Sequence, residues 1–134
     1  MREAIKVAAI AIGVVAILWI VNRSSGDPGP ADIAWKTSLA DASAERPRLL
    51  YFTADWCGPC QTMKRETWPD DTVEEAIKAF DAVYVNIDDH EDLARQYAVA
   101  TIPTIVVIDA NGEVVDSIQY STASQMVSFL RANS

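Results

Sequence analysis

Only two of the 134 residues are cysteine, Cys57 and Cys60. With no third thiol, the chain can build no structural disulfide besides that pair and no four-cysteine zinc site of its own. A zinc half-site shared between two chains is the metal reading that remains. Against it, a C-x-x-C that follows a strand and opens a helix reads as redox. Histidine is scarcer still, with His90 standing alone. A Cys–His hydrolase would need it oriented by an Asn or Asp that the sequence does not place. Positive charge is also short: 11 Lys and Arg face 19 Asp and Glu, a net charge of −8. Setting aside Arg2, Lys6, Arg23 and Glu3 leaves 8 basic and 18 acidic residues, or −10, beyond residue 23. No basic patch interrupts that surplus, so nucleic acid is excluded as a main partner by like-charge repulsion. Internal repeats and low-complexity tracts are missing as well.

One long hydrophobic run is present, at the N-terminus. Ala4–Val21 is apolar apart from Lys6. Eighteen helical residues span ~27 Å, close to a hydrocarbon core of ~30 Å. Lys6 sits near enough to one end to snorkel, and Trp19 suits the opposite interface. Arg2, Lys6 and the terminal amine outweigh Arg23, which orients the N-terminus to the cytoplasm and the remainder outside it. A cleaved signal peptide is the competing reading. Ser24-Ser25-Gly26 offers small residues, but Arg23 and bulky Leu18-Trp19-Ile20-Val21 fit a cleavage site poorly. The expected organisation is a transmembrane anchor over 1–23, a linker over 24–31 and one domain over 32–134. The linker, Ser24-Ser25-Gly26-Asp27-Pro28-Gly29-Pro30, reaches only ~25 Å fully extended and holds the domain near the membrane.

Within the domain the pattern predicts a short helix over Ile33–Ala44, stopped by Pro47, and a central strand over Arg48–Thr53. A helix follows over Pro59–Trp68 and ends before Pro69. Asp70-Asp71-Thr72 offers caps for a second helical segment with Val73, Ala76, Ile77 and Phe80 on its apolar face. Ala82–Ile87 reads as a strand and Glu91–Tyr97 as a helix. Thr104–Ile108 and Glu113–Ile118 form a hairpin about Asn111-Gly112, and Ser124–Ala132 is a closing helix. Asp88-Asp89-His90-Glu91-Asp92 invites a metal hypothesis. Its simpler reading is a strand-end turn with capping acids at a helix start, so no metal site is expected.

The chemistry concentrates in Trp56-Cys57-Gly58-Pro59-Cys60, where a buried strand turns into a helix. A helix N-terminus leaves N–H groups unpaired and carries roughly +0.5 charge, which favours a thiolate. The thiolate is the reactive form. Residues three apart share a helix face, so Cys60 reaches back to the sulfur of Cys57. Pro59 fits the first turn, where its missing N–H is not needed. The outer cysteine attacks and the inner one resolves.

Trp-Cys-Gly-Pro-Cys resembles the active-site motif of thioredoxins. Thr101-Ile102-Pro103-Thr104 resembles that family's cis-proline loop. Asn111-Gly112-Glu113 resembles its last hairpin, and Gln125–Leu130 its closing helix. The resemblance covers Leu49–Ser134. It implies an α/β thioredoxin-like fold, here with about four strands in a mixed sheet flanked by helices. The implied strand order is second, first, third, fourth, with the last two antiparallel to the first pair. It also implies a cis Ile102–Pro103 bond facing the cysteines, a half-exposed Trp56 beside the sulfur, and no cofactor beyond the Cys57–Cys60 disulfide. In lacking an early strand, the chain looks more like the thioredoxin-like domains of membrane-bound thiol–disulfide interchange proteins.

Two departures bear on mechanism. Thioredoxins carry a buried Asp six residues before the first cysteine and a Lys on the neighbouring strand; here those positions are Tyr51 and Tyr84. A tyrosine with a pKa near 10 is a poor base at neutral pH, so base assistance to Cys60 is weak or comes from Asp55 or water. A nearby Asp55 charge would raise, not lower, the thiol pKa. The tyrosines are expected to face each other across neighbouring strands beneath Cys60. Gln119-Tyr120-Ser121 replaces the family's glycine loop before the last helix. The functional expectation is a membrane-tethered monomer that reduces protein disulfides outside the cytoplasm with electrons from a transmembrane donor. The alternative is a non-catalytic metallochaperone or peptide-binding scaffold.

Overall fold

The computed structural model describes residues 29–134; the expected anchor over 1–23 lies outside them. Among the described residues, no helix is long and apolar enough to cross a membrane. Strand β1 (Arg48–Thr53) is buried along its whole length. It lies between β2 (Asp81–Asn86) and β3 (Thr104–Ile108), and β4 (Val114–Ile118) completes a four-stranded sheet of order β2-β1-β3-β4. β1 pairs parallel with β2 and antiparallel with β3, and β3 pairs antiparallel with β4. Only β3 therefore runs against β1. The expectation that the last two strands both oppose the first pair is corrected for β4, because the Asn111-Gly112 turn reverses the chain once more. Gly112 takes φ 80° there, a conformation glycine adopts without steric cost. Asp109 locks the turn by accepting from the backbone N–H groups of Asn111 and Glu113 at 2.9 and 3.0 Å.

Alternation along β1 splits the core into two layers. Leu49 and Tyr51 face one way with Ala82, Ile105 and Val107, beneath α1 (Gly58–Glu66), α2 (Asp71–Ile77) and α4 (Ala123–Asn133). Leu50 and Phe52 face the other way with Val83, Val85 and Val106, beneath α3 (Glu91–Gln96) and a 3₁₀ turn at Leu39–Asp41. The caps explain the helix starts. Asp70 accepts from the N–H groups of Thr72 and Val73 to open α2. Thr122 and Gln125 form a reciprocal capping box on α4, which satisfies two otherwise orphaned donors.

Ile33–Ala44 is not a helix. Ile33 and Trp35 both turn inward, a two-residue period that the surrounding alanines obscured. Lys36 makes an isolated parallel bridge to Val83, accepting from Tyr84 N at 3.0 Å and donating to Ala82 O at 2.8 Å. β2 would otherwise present a bare edge, and pairing it is worth more than a marginal helix. Trp35 then meets Trp68 edge-on at 5.1 Å, Tyr51 at 5.7 Å and Tyr84 at 6.1 Å. Its indole N–H donates to Pro30 O at 2.8 Å. Gly29 lies so close to the indole that a Cβ there would collide with the ring. Among the described residues packing thus starts with Gly29 itself, inside the stretch expected to be linker.

Two outcomes follow from this packing. Gly29→Val should displace Trp35 and lower stability by about 1–3 kcal/mol; a denaturation midpoint equal to that of the wild type would disprove the close contact. Burial raises the Tyr51 pKa above its ordinary 10.0. Its contribution is thus complete below that value and lost as pH rises through the folded pKa, at up to about 1.4 kcal/mol per pH unit. Chemical denaturation between pH 9 and 11 (about the range of tyrosine ionisation) should show a steeper decline in the wild type than in Tyr51→Phe.

Candidate active site

β1 delivers the chain to the site. Ala54 is buried, Asp55 and Trp56 turn outward, and Cys57 is the N-cap of α1 with extended backbone (φ −83°, ψ 112°). The fold of the loop is held by Cys57 N donating to Ala54 O at 3.3 Å and by the Gln61 side chain donating to Asp55 O at 3.2 Å. Cys57 Sγ accepts from Cys60 N at 3.2 Å. That bond takes the place of a serine or aspartate cap, and it stabilises negative charge on the sulfur. The two cysteines are joined as a disulfide, their Cα atoms 5.2 Å apart. Cys57 is 4% exposed and Cys60 1%, so the outer sulfur is the approachable one. Pro59 occupies the first turn. A Cβ on Gly58 would meet nothing within 4 Å, so packing does not demand glycine there.

Pro103 lies across from the cysteines. The Ile102–Pro103 bond is cis, Pro103 is buried, and Ile102 O lies 3.7 Å from Cys57 Sγ. Ala54, Ile87 and Ile102 form the apolar packing of the two sulfurs. Thr104 Oγ1 donates to Thr101 O at 2.6 Å, and Gln119 Nε2 donates to Thr101 Oγ1 at 3.1 Å. The segment replacing the family's glycine loop is therefore tied to the proline loop through Gln119, while Tyr120 stays exposed. An apolar groove of about 340 Å³ lies between Trp56 and the proline loop, lined by Trp56, Ile87, Ala94, Val99, Thr101 and Ile102; of these, Ile87 and Ile102 also pack against the two sulfurs. Ile87 was not expected at the site, and Thr101 and Gln119 were expected only as members of the proline loop and of the segment before the last helix, not as bonded to each other. The available signal for Ile87 was its position at a strand end.

Trp56 is 68% exposed, more than the expected half, and its indole N–H donates to Asp88 Oδ2 at 3.0 Å. The acidic run at 88–92 is thereby partly explained: Asp88 holds Trp56, and Asp92 pairs with Arg95. The expected capping by acids is not what the helix uses. The N-cap of α3 is His90, with no side-chain bond, and Asn86 Oδ1 accepts from Asp88 N instead. Among the described residues, no three His, Cys, Asp or Glu side chains converge on a metal position.

Tyr51 and Tyr84 stand opposite each other on β1 and β2, ring centroids 5.8 Å apart and nearly perpendicular. They belong with Trp35, Trp68 and Met63, whereas the sulfurs belong with Ala54, Ile87 and Ile102. The rings thus pair as expected, but in a layer of their own rather than in contact with Cys60. Burial pushes the Tyr51 hydroxyl up, opposed in part by the hydroxyl of Thr53 and the indole of Trp68. That indole N–H approaches Tyr51 closely enough to favour its phenolate, yet it falls short of a hydrogen bond and stays unpartnered. Tyr84 is raised by burial first, then by the charges of Tyr51 and Asp55. Neither tyrosine is a base at neutral pH. Asp55 is exposed at the surface of the loop.

The profile of the thioredoxin-like domain family matches residues 35–133. The mouse (Mus musculus) mitochondrial thioredoxin is 34% identical over 90 residues, 66% of this chain and 52% of the relative. Thioredoxin of Pyropia yezoensis is 36% identical over 72 residues, 54% of this chain and 64% of the relative. The chain thus spans about half to two thirds of the length of these curated relatives. Among solved structures, DsbH oxidoreductase superposes with a TM-score of 0.67 at 23% identity, covering 84% of this chain and 96% of that one. The oxidised C-terminal domain of Neisseria meningitidis DsbD gives 0.56 at 23%, covering 68% and 83%. A Thermus thermophilus thioredoxin gives 0.59 at 27%, covering 66% and 73%. The fold, the Cys57–Cys60 pair at a helix N-terminus and the matched profile agree: the chain belongs to the thioredoxin-like domain family.

Proposed function

We propose that the protein is a thiol–disulfide oxidoreductase that reduces disulfides in protein substrates. One observation carries the reading: Cys57 Sγ accepts from Cys60 N at the start of α1 while facing the carbonyl of Ile102. In the reduced protein the Cys57 thiolate attacks the nearer sulfur of a substrate disulfide. That S–S bond breaks, the far sulfur leaves as a thiolate, and Cys57 is held in a mixed disulfide. Cys60 then attacks Cys57 Sγ. The second substrate sulfur departs with its electron pair, and the Cys57–Cys60 disulfide forms. Two electrons have moved to the substrate, and a dithiol donor must return two to reset the pair. The groove beside the disulfide offers apolar surface for the substrate's flanking residues, and Ile102 O and the Thr101 carbonyl offer acceptors to its backbone.

Resolution proceeds without the family's buried acid–lysine pair, since Tyr51 and Tyr84 stay neutral at physiological pH. Cys60 loses its proton to water or to the departing thiolate. The run Ala4–Val21, preceded by Arg2 and apolar apart from Lys6, supports a retained single-pass anchor, with the domain outside the cytoplasm. In that compartment a reductase draws its electrons from a transmembrane donor. The Gly58-Pro59 dipeptide, shared with reducing thioredoxins, supports the reducing direction. The protein acts as a monomer.

Cys57→Ser should abolish reduction of a protein disulfide, and Cys60→Ser should accumulate mixed disulfides visible on non-reducing gels. Trapping by Cys57→Ser and not by Cys60→Ser would reverse the assigned roles. A reduction potential within about −270 to −120 mV fits the exchange, whereas tight binding of soft metal ions by the reduced pair without turnover would mean a metallochaperone. For topology, a membrane-impermeant thiol reagent applied to intact, pre-reduced cells should label Cys57, and the labelled chain should sediment with membranes. Labelling only after lysis would overturn the orientation; recovery in the soluble fraction would overturn the anchor.

A further inference from the structure

Among the described residues only two aromatic side chains are exposed, Trp56 and Tyr120. Both stand at the end of the sheet that carries the disulfide. The strand order sets the segments at this end in a row. Asp88, which holds Trp56, follows β2, and Cys57 follows β1. Pro103 leads into β3, and Gln119-Tyr120-Ser121 leaves β4 just after Ile118, which pairs with Ile105. Trp56 and Tyr120 therefore flank Cys57 and the proline loop from opposite sides. Two strand spacings separate β1 from β4, about 10 Å.

The backbone on either side of Tyr120 is bonded into the fold. Gln119 Nε2 donates to Thr101 Oγ1 at 3.1 Å and ties the turn to the proline loop. Ser121 is fully buried, and its hydroxyl donates back to Gln119 O at 2.9 Å, closing the turn on Tyr120. Ser121 O accepts from Thr67 Oγ1 at 2.6 Å, at the end of α1, and Thr122 caps α4. The ring itself is 47% exposed. Ordering it against a ligand costs only two side-chain torsions. Charge is absent around it: neither 99–108 nor 117–130 contains a charged residue. Such a ring favours an apolar or aromatic partner and offers a charged side chain nothing to offset its desolvation.

We propose that Tyr120 is a specificity-determining residue of the exchange reaction, contacting an apolar or aromatic side chain two positions from the substrate cysteine that bonds to Cys57. The inference rests on the thiol–disulfide reading above. A substrate joined to Cys57 crosses the proline loop. In an extended chain, residues two apart face the same way, ~7 Å from each other. The substrate cysteine faces Cys57, so the residue two positions away faces the same end of the sheet, shifted toward β4, and the Tyr120 ring spans the remainder.

The test uses the reduced full chain in neutral detergent micelles and homodimeric peptide disulfides, in which attack on either sulfur gives the same product. The peptides are acetyl-Gly-Gly-Cys-Gly-Gly-amide, acetyl-Gly-Gly-Cys-Gly-Phe-amide, acetyl-Phe-Gly-Cys-Gly-Gly-amide and versions of the last two with Glu for Phe. Stopped-flow kinetics give kcat/KM for each. At least one phenylalanine peptide should react about threefold to tenfold faster than the glycine peptide, and its Glu counterpart should show no gain. In Tyr120→Ser that ratio should fall to about one, and Tyr120→Phe should keep it. The ratio is taken within each protein, so a general loss of activity cancels. Equal rates for all peptides, an equal gain from Glu, a preference that survives Tyr120→Ser, or its loss in Tyr120→Phe would overturn the role of the ring and leave the oxidoreductase standing. A reduced protein that exchanges with none of the peptides would overturn the thiol–disulfide reading itself, and the role of Tyr120 with it.

Discussion

The site depends on one junction, where a strand sealed on both faces runs into a helix with a sulfur as its cap. β1 is fully buried and hydrogen-bonded on both sides, and Thr53 and Ala54 at its end are buried as well. α1 begins at Gly58. The few residues between must turn sharply, and the turn leaves Cys57 where a helix presents unpaired N–H groups. Cys60 N–H therefore points at sulfur rather than at an oxygen. In the reduced protein a charge-assisted bond of that kind favours the thiolate.

The same junction fixes the opposing surface. β3 is antiparallel to β1, with Phe52 opposite Thr104. This register carries the cis-proline loop to the end of the sheet where β1 becomes α1. Ile102 O then faces Cys57 Sγ without any direct bond between the two loops being needed to bring them together. Gln119 and Thr101 bind the neighbouring loop to this one, so three chain segments that are distant in sequence meet around the outer sulfur.

Beneath α1 and α4 the core departs from the family's acid–lysine arrangement by filling the space with rings. Tyr51, Tyr84, Trp35 and Trp68 make contacts of 4.9 to 6.1 Å, several of them edge-on. A buried ion pair loses much of its attraction to desolvation, and packed aromatic groups replace it without that penalty. The cost is functional: the layer under the site contains no group that accepts a proton at neutral pH. Trp35 completes this layer from a segment outside the four strands, held by Pro30 and Gly29. The entry of the chain from the N-terminal side is thereby part of the core.

Local chemistry alone was enough to locate β1, the redox pair, the cap of α2 and the hairpin at Asn111-Gly112. Each is decided by residues within a few positions of one another, through period-two burial, C-x-x-C spacing, side-chain caps or the left-handed preference of glycine. The facing of Tyr51 and Tyr84 was also legible, because each lies in an apolar run and parallel neighbours in this fold share a register. The segment from Ile33 to Ala44 was not. Its alanines carry helical propensity, but the edge of β2 and the space beside Tyr51 and Trp68 outweigh it, and neither is visible locally. Nor could sequence show that Asp88 holds Trp56, that Gln119 reaches Thr101, or that the sulfurs and tyrosines occupy separate layers. The sequence by itself determined where the cysteine pair sits and which segments from Arg48 onward are strands and helices, since those follow from nearest neighbours along the chain. Tertiary structure decided what surrounds the sulfur and where the surface opens into grooves, since those follow from residues tens of positions apart that only the sheet brings together.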